Sequence, residues 1–276
     1  MKYYLVFSDL DGSLIDHDTY DFKEAIVALN LLKEKKVPVI LCSSKTRSEI
    51  EIYRQRMDLM AYPFISENGG AIFIPREGPS LRGFGYKIVN GYRFIGIGKS
   101  YDSIKRYFQE IKEESKIEIK GFCEMDVEEI IKWTQLSEKE ARLASLREYS
   151  EPFVFLDKAD KFPLLEEIVR RKGLKVIKGG RFYHLMGDND KGKAVQILKL
   201  IYQQNHSHKT LISIGIGDNL NDFPMLQNVD IPVLVKKKTG VHEPCFGLEN
   251  IYYTQGIGPQ GWAEAIFKII GGGSYG

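Results

Sequence analysis

The chain has few cysteines, no long apolar run, no surplus of one charge and no internal repeat. Its three cysteines, Cys42, Cys123 and Cys245, stand far apart without metal-ligand spacing, so neither a disulfide framework nor a thiolate zinc site organises it. They read as reduced thiols, with Cys42 inside an apolar, strand-like run. No stretch approaches the roughly 18 apolar residues of a membrane span. The N-terminus opens on a strand with no basic leader, and the expectation is a soluble cytoplasmic protein. Lys and Arg number 39 against 37 Asp and Glu, a net charge of +2. That balance argues against nucleic-acid or membrane partners and leaves any anion to a local site. What is present is apolar bulk: 43% of 276 residues, enough for one large domain or two unequal ones.

The first apolar run, Tyr3 to Phe7, ends in Asp9, Asp11 and Gly12. Two carboxylates at i and i+2 after a buried strand put negative charge at a strand's C-terminal edge, where open α/β sheets bind ligands; a turn closing the strand would use the same residues. An amphipathic helix follows, with Asp21 and Glu24 as a capping box and Ala25, Leu29 and Leu32 among its apolar positions. Val37 to Cys42 is a second buried strand, which makes a βαβ unit and a parallel sheet. At its end Ser43, Ser44, Lys45 and Thr46 suit either a helix cap or an anion site at a helix start. A third strand, Pro63 to Ser66, turns through Glu67, Asn68, Gly69 and Gly70 into a hairpin, where Asn68 serves a ligand or the turn.

Past Pro75 the pattern changes to hairpins and helices, including an Asn90-Gly91 turn, and this reads as an inserted α+β domain over 83–186. The core then comprises 1–82 and 187–276. Parallel alternation resumes with a helix opened by Asp190, Lys191 and Gly192, and with the strand Leu211 to Ile216, which ends in Gly217, Asp218, Asn219, Leu220, Asn221 and Asp222. The glycine-rich end, 271–276, reads as a disordered tail. The expected fold class is α/β, a doubly wound parallel sheet core carrying an α+β cap.

Four separated segments thus bring two aspartates, serines, a lysine and a second acidic pair to one sheet edge. Carboxylates so gathered repel one another unless a divalent cation lies among them, and oxygen ligands with a substrate phosphate suit Mg²⁺. Ser43 and Lys191 would then take the phosphate's other oxygens. Asp9-Leu10-Asp11-Gly12-Ser13, Ser43, Lys191 and Gly217 to Asp222 resemble, in order and spacing, the four motifs of the haloacid dehalogenase superfamily of phosphatases. The resemblance implies Asp9 as nucleophile, Asp11 as general acid and base, and Mg²⁺ held by Asp9, the Asp11 carbonyl and Asp218, with Asp222 in support. It also implies that the insertion is the cap of the sugar-phosphatase branch.

Over almost the whole chain the resemblance narrows to the mannosyl-3-phosphoglycerate phosphatase family. It is carried by Ser43 to Arg47, Glu67 to Ile72, Arg147 to Phe153, Gly179 to His184, Asp190 to Ala194 and Gly258 to Trp262. What it implies is a Mg²⁺-dependent phosphatase acting on a small-molecule sugar phosphate to give mannosylglycerate. The alternatives are glucosyl-3-phosphoglycerate, another sugar phosphate such as sucrose phosphate, or a sugar-phosphate-binding module without catalysis. The substrate's carboxylate calls for donors, and Gly179, Gly180 and Arg181 offer backbone N–H groups and a guanidinium, joined by Ser44, Lys45 and Asn68 from the core. Arg147 suits substrate binding or an ion pair with Glu148 or Glu151, and His184, alternating with apolar residues, reads as a packed or solvent-facing side chain.

Overall fold

The computed structural model describes residues 2–179, 182–244 and 247–272. Gly180, Arg181, Cys245 and the end of the glycine-rich tail lie outside the described residues. In chain order the first part comprises β1 (Lys2–Ser8), α1 (Ile26–Glu34), β2 (Val39–Cys42), α2 (Arg47–Arg56), β3 (Phe64–Ser66), β4 (Ala71–Pro75), β5 (Lys87–Val89) and β6 (Tyr92–Gly96). The middle comprises α3 (Tyr101–Ser115), β7 (Ile119–Gly121), α4 (Val127–Thr134), α5 (Glu138–Ala144), β8 (Ser150–Phe155), α6 (Phe162–Arg171), β9 (Lys175–Lys178) and β10 (Tyr183–Met186). The chain then returns through α7 (Lys191–Asn205), β11 (Thr210–Gly217), α8 (Phe223–Leu226), β12 (Ile231–Lys236), β13 (Tyr252–Ile257) and α9 (Gly258–Ile266).

One nine-stranded sheet has the order β13-β12-β11-β1-β2-β3-β4-β6-β5. It is parallel from β13 to β3 and antiparallel beyond. β1 lies centrally because both of its faces are apolar: Val6 packs into one layer with Leu29, Leu41, Ile214 and Trp262, and Leu5 and Phe7 into the other with Ala194 and Leu198. A strand buried on both sides is a continuous apolar run, which is how it reads in the sequence.

The second sheet, β7-β8-β10-β9, is antiparallel and belongs to the insertion. One face, with Phe153 and Leu185, packs under α3 and α6 against Ile104, Phe108, Leu165 and Ile168. The strands' period of two sends Pro152, Val154 and His184 the other way, toward α4, α5 and the core.

Two local expectations change. The hairpin β5–β6, which falls inside the expected insertion over 83–186, hydrogen bonds to β4 in the large sheet, and the separate small sheet begins after it. Its turn chemistry is local, whereas its partner strand is chosen by the exposed edge of β4. We accordingly propose a core of 1–97 and 187–276 and a cap of 98–186. The Asp21–Glu24 capping box does not form: Asp21 Oδ1 accepts the N–H groups of Phe22 and Lys23, and a short 3₁₀ turn, Lys23–Ala25, leads into α1. Capping boxes form instead at Thr46–Glu49, which opens α2, and at Ser137–Glu140, which opens α5, each contributing about 1 kcal/mol.

Candidate active site

Three neighbouring strands end side by side. Asp9 follows β1, Ser43 follows β2 and Asp218 follows β11, and the Asp9 N–H donates to the Ile216 carbonyl at 2.9 Å. Gly12, at φ +80°, lets the loop after β1 lie against the acidic loop; a Cβ there would meet Asp218 Oδ2 at 2.6 Å. Behind Asp9, the fully buried Trp262 donates from Nε1 to Ser8 Oγ at 2.9 Å, and Ser8 Oγ donates to the Asp9 carbonyl at 2.7 Å.

Lys191, at the first position of α7 and 1% exposed, donates from Nζ to Asp9 Oδ1 and to Asp222 Oδ1, each at 2.6 Å. Burial works against its charge, but Asp222 and Asp9 outweigh burial and hold the ammonium above its ordinary value. Asp222 Oδ2 accepts the N–H groups of Asp218 and Asn219 at 3.0 and 3.1 Å, which shapes the acidic loop. Burial, then Asp222, push the Asp9 carboxyl up, and Lys191 opposes them. Burial, Asp222 and Asp9 push Asp218 well up in the same way.

Asp9, Asp218 and Asp222 each bring a carboxylate oxygen to within 4.8 Å of the others. Three buried acids with one lysine are short of positive charge, and an all-oxygen donor set of this kind fits a hard divalent cation. Asp222 has both oxygens engaged by protein donors, which leaves Asp9 and Asp218 as the freer ligands.

Asp11 faces the cap. Its Oδ1 lies 3.1 Å from Lys45 Nζ, which also approaches Glu49 Oε1 at 3.8 Å and stacks over the Tyr20 and Tyr53 rings. Ser43 is fully buried, and its Oγ accepts the Lys45 N–H at 3.1 Å, leaving the hydroxyl proton for a ligand. Ser44 presents its carbonyl to Arg147 Nη1 at 2.9 Å.

Two cavities open between core and cap. The larger, about 420 Å³, is lined by Gly12, Asp218 and Gly258 from the core and by Lys178 and Gly179 from the cap. The smaller, about 140 Å³, has Asp11, Ser44 and Lys45 on the core side and Arg147, Pro152, Phe182 and His184 on the cap side. Arg147 reaches Glu49 at 3.8 Å rather than pairing with Glu148 or Glu151. His184 is 7% exposed and has no partner for Nδ1 among the described residues; burial, then Arg147, lower its pKa to about 3, so the imidazole is neutral.

Every candidate among the described residues therefore lies at or beside this cleft. Asn68 sits deeper than a ligand contact would suggest, 1% exposed, with Oδ1 accepting from Asn221 Nδ2 at 3.1 Å. Sequence reasoning gave no place at the site to Glu49, and it named Glu67, Asn221 and Trp262 only within motifs, because their contacts there are long-range. For Glu49 the capping box is the one local signal.

An aspartate-bearing strand end, a buried lysine bridge and an acidic loop beneath a cap are the arrangement of a haloacid dehalogenase-like phosphatase, and residues 6–81 match the haloacid dehalogenase-like hydrolase family. The chain is 45% identical over 268 residues to a glucosyl-3-phosphoglycerate/mannosyl-3-phosphoglycerate phosphatase of Methanococcoides burtonii, covering 97% of each. A phosphatase of the same name from Persephonella marina is 40% identical over 269 residues, with 96% of this chain and 97% of that one covered. The chain belongs to this phosphatase family and is a phosphoric monoester hydrolase. Among solved structures, one from Thermoplasma acidophilum superposes with a TM-score of 0.68 at 18% identity, over 97% of this chain and 98% of that one. The sucrose-phosphatase of Synechocystis, solved with sucrose and phosphate, gives 0.63 at 16% identity over 97% and 98%. These two likenesses establish the shared fold.

Proposed function

We propose that the chain hydrolyses mannosyl-3-phosphoglycerate, with Mg²⁺, to mannosylglycerate and phosphate, and that glucosyl-3-phosphoglycerate, named with it in both relatives, is its second substrate. The observation that carries the reading is the buried Asp9–Lys191–Asp222 bridge beside Asp218, facing a cleft whose other wall is the cap.

In the first step an Asp9 carboxylate oxygen attacks phosphorus and the bond to the glycerate oxygen breaks, while Asp11 gives that oxygen its proton. In the second, Asp11 takes a proton from water, whose oxygen attacks phosphorus and releases phosphate and the Asp9 carboxylate. Lys191 holds the Asp9 carboxylate in line and offsets its charge, and Ser43 Oγ donates to a phosphate oxygen. Asp9, the Asp11 carbonyl and Asp218 would hold Mg²⁺, with Asp222 in support. The ion supplies charge neutralisation as negative charge builds on the phosphoryl oxygens. Lys45, Arg147 and Ser44 line the smaller cavity with donors for the substrate's carboxylate, and Asn68 keeps the acidic loop in place behind them. Gly179 leaves room on the cap side; Gly180 and Arg181 follow it as further proposed contacts.

A phosphate-release screen tests the assignment, with mannosyl- and glucosyl-3-phosphoglycerate, sucrose phosphate and hexose phosphates as substrates. Turnover of the two glycosyl phosphoglycerates well above the rest is expected, and Asp9→Asn should abolish it while the protein stays folded. Full activity in that variant would remove Asp9 as nucleophile. Preference for another sugar phosphate would reassign the substrate.

A further inference from the structure

We propose that Glu67 is the positioning residue that seats the cap's pocket wall on the core and so sets the preference for substrates the cap must read over small phosphate esters. Glu67 lies in the β3–β4 turn and is fully buried. Its Oε1 accepts the Glu148 N–H at 2.7 Å, and its Oε2 accepts the N–H groups of Tyr149 and Ser150 at 3.1 and 2.8 Å and the Ser150 hydroxyl at 2.7 Å. These four donors belong to the cap. They directly follow Arg147 and precede Pro152, both of which line the smaller cavity over Asp11.

The backbone is strained to deliver that carboxylate. Glu67, Asn68 and Gly69 have φ of +47°, +54° and +85° in succession. Glycine and asparagine tolerate that region, whereas a glutamate there is unfavourable and persists where its surroundings hold it.

The same turn touches both chain connections between cap and core. The Gly70 carbonyl accepts from Ile97 and Gly98, both at 2.9 Å, on the outgoing connection. The Asn68 carbonyl accepts from Asn189 Nδ2 at 3.4 Å on the returning one, and Asn68 Oδ1 meets Asn221 in the acidic loop. Two covalent connections alone would leave the cap free to rock. The Glu67 carboxylate adds a buried anchor with four donors on the segment that carries the pocket wall, beside the single hydrogen bonds from Thr46 Oγ1 to the Leu143 carbonyl and from Arg147 to the Ser44 carbonyl.

The inference rests on the proposed phosphatase reaction for its substrates but has an arm that does not. In the full chain, Glu67→Gln leaves an amide NH₂ facing backbone N–H donors, and Ser150→Ala removes one donor only. For each, kcat/KM is measured with glycosyl-3-phosphoglycerate and with p-nitrophenyl phosphate, a small ester whose leaving group needs no cap contact. Backbone amide exchange is followed at 148–150. Glu67→Gln is expected to lower kcat/KM for the glycosyl ester about tenfold or more while p-nitrophenyl phosphate stays within about threefold, and to speed exchange at 148–150. Ser150→Ala should move both readouts the same way by less, and it decides the matter if Glu67→Gln does not fold. Equal losses on both esters, or unchanged exchange at 148–150, would overturn the proposal. Should the wild type turn over no glycosyl-3-phosphoglycerate, the substrate reading fails and amide exchange alone decides the role of Glu67.

Discussion

His184 shows how one side chain's surroundings set its chemistry. It points from β10 into the smaller cavity, where burial, then Arg147, hold its pKa near 3 against an ordinary 6.5. Between those values the unfolded chain binds a proton that the folded chain refuses. Stability is therefore complete above pH 6.5 and falls as the pH drops toward 3. Between pH 7 and pH 5 His184 should withdraw about 2 kcal/mol, read as a steeper loss of the urea midpoint in the wild type than in His184→Gln. Parallel slopes for the two proteins would mean that the imidazole is already protonated in the fold. The alternation of His184 with apolar residues was legible in the sequence, but the face it turns to was not, because the period of two names two faces without saying which one meets the core. Lys45 is a similar case. Its place after β2 made it a substrate ligand on paper; the structure adds its ion pair with Asp11, which comes from a different strand end.

Among the elements, the strands that end in the candidate site residues were the most legible. β1, β2 and β11 are buried on both faces, so each is an apolar run broken by polar residues at the point where the sheet edge begins. The hairpin β5–β6 was legible as a hairpin and not as part of the large sheet, since pairing with β4 leaves no mark in its own residues. The β3–β4 turn carries a sharper demand. Gly69 has φ +85°, and a Cβ there would lie 2.0 Å from the Asp190 carbonyl oxygen and 2.9 Å from the Lys191 nitrogen. Gly69→Ala must push the start of α7 away from the turn and carry Lys191 off Asp9. We expect a loss of about 2 kcal/mol or more in urea unfolding, with kcat falling further than KM changes. An alanine variant with native kcat would show that Lys191 keeps its place by its ion pairs alone.

For the molecule as a whole, the site is bought with stability. Asp9, Asp218 and Asp222 crowd together in the interior, and one ammonium cannot neutralise all three. The Asp218 carboxyl sits well above its ordinary value, first through burial and then through its two acidic neighbours. The folded state thus holds its proton to higher pH than the unfolded chain does, and the crowded charge costs stability as the pH rises above the ordinary carboxylate range. This destabilisation is absent near pH 4 and present at pH 7. Asp218→Asn removes the charge and keeps the shape, so the metal-free variant should melt about 2 °C or more above the metal-free wild type at pH 7, with the gap closing as the pH is lowered. Added Mg²⁺ should raise the melting temperature of the wild type by mass action and leave that of the variant nearly unmoved, while phosphate release is lost. A variant that melts lower than the wild type without metal, yet still gains from Mg²⁺, would mean that Asp218 is a structural acid and that the ion is held elsewhere. The expected crossing, in which the inactive protein is the more stable one until the metal is added, follows from spending buried negative charge on a phosphoryl-transfer site.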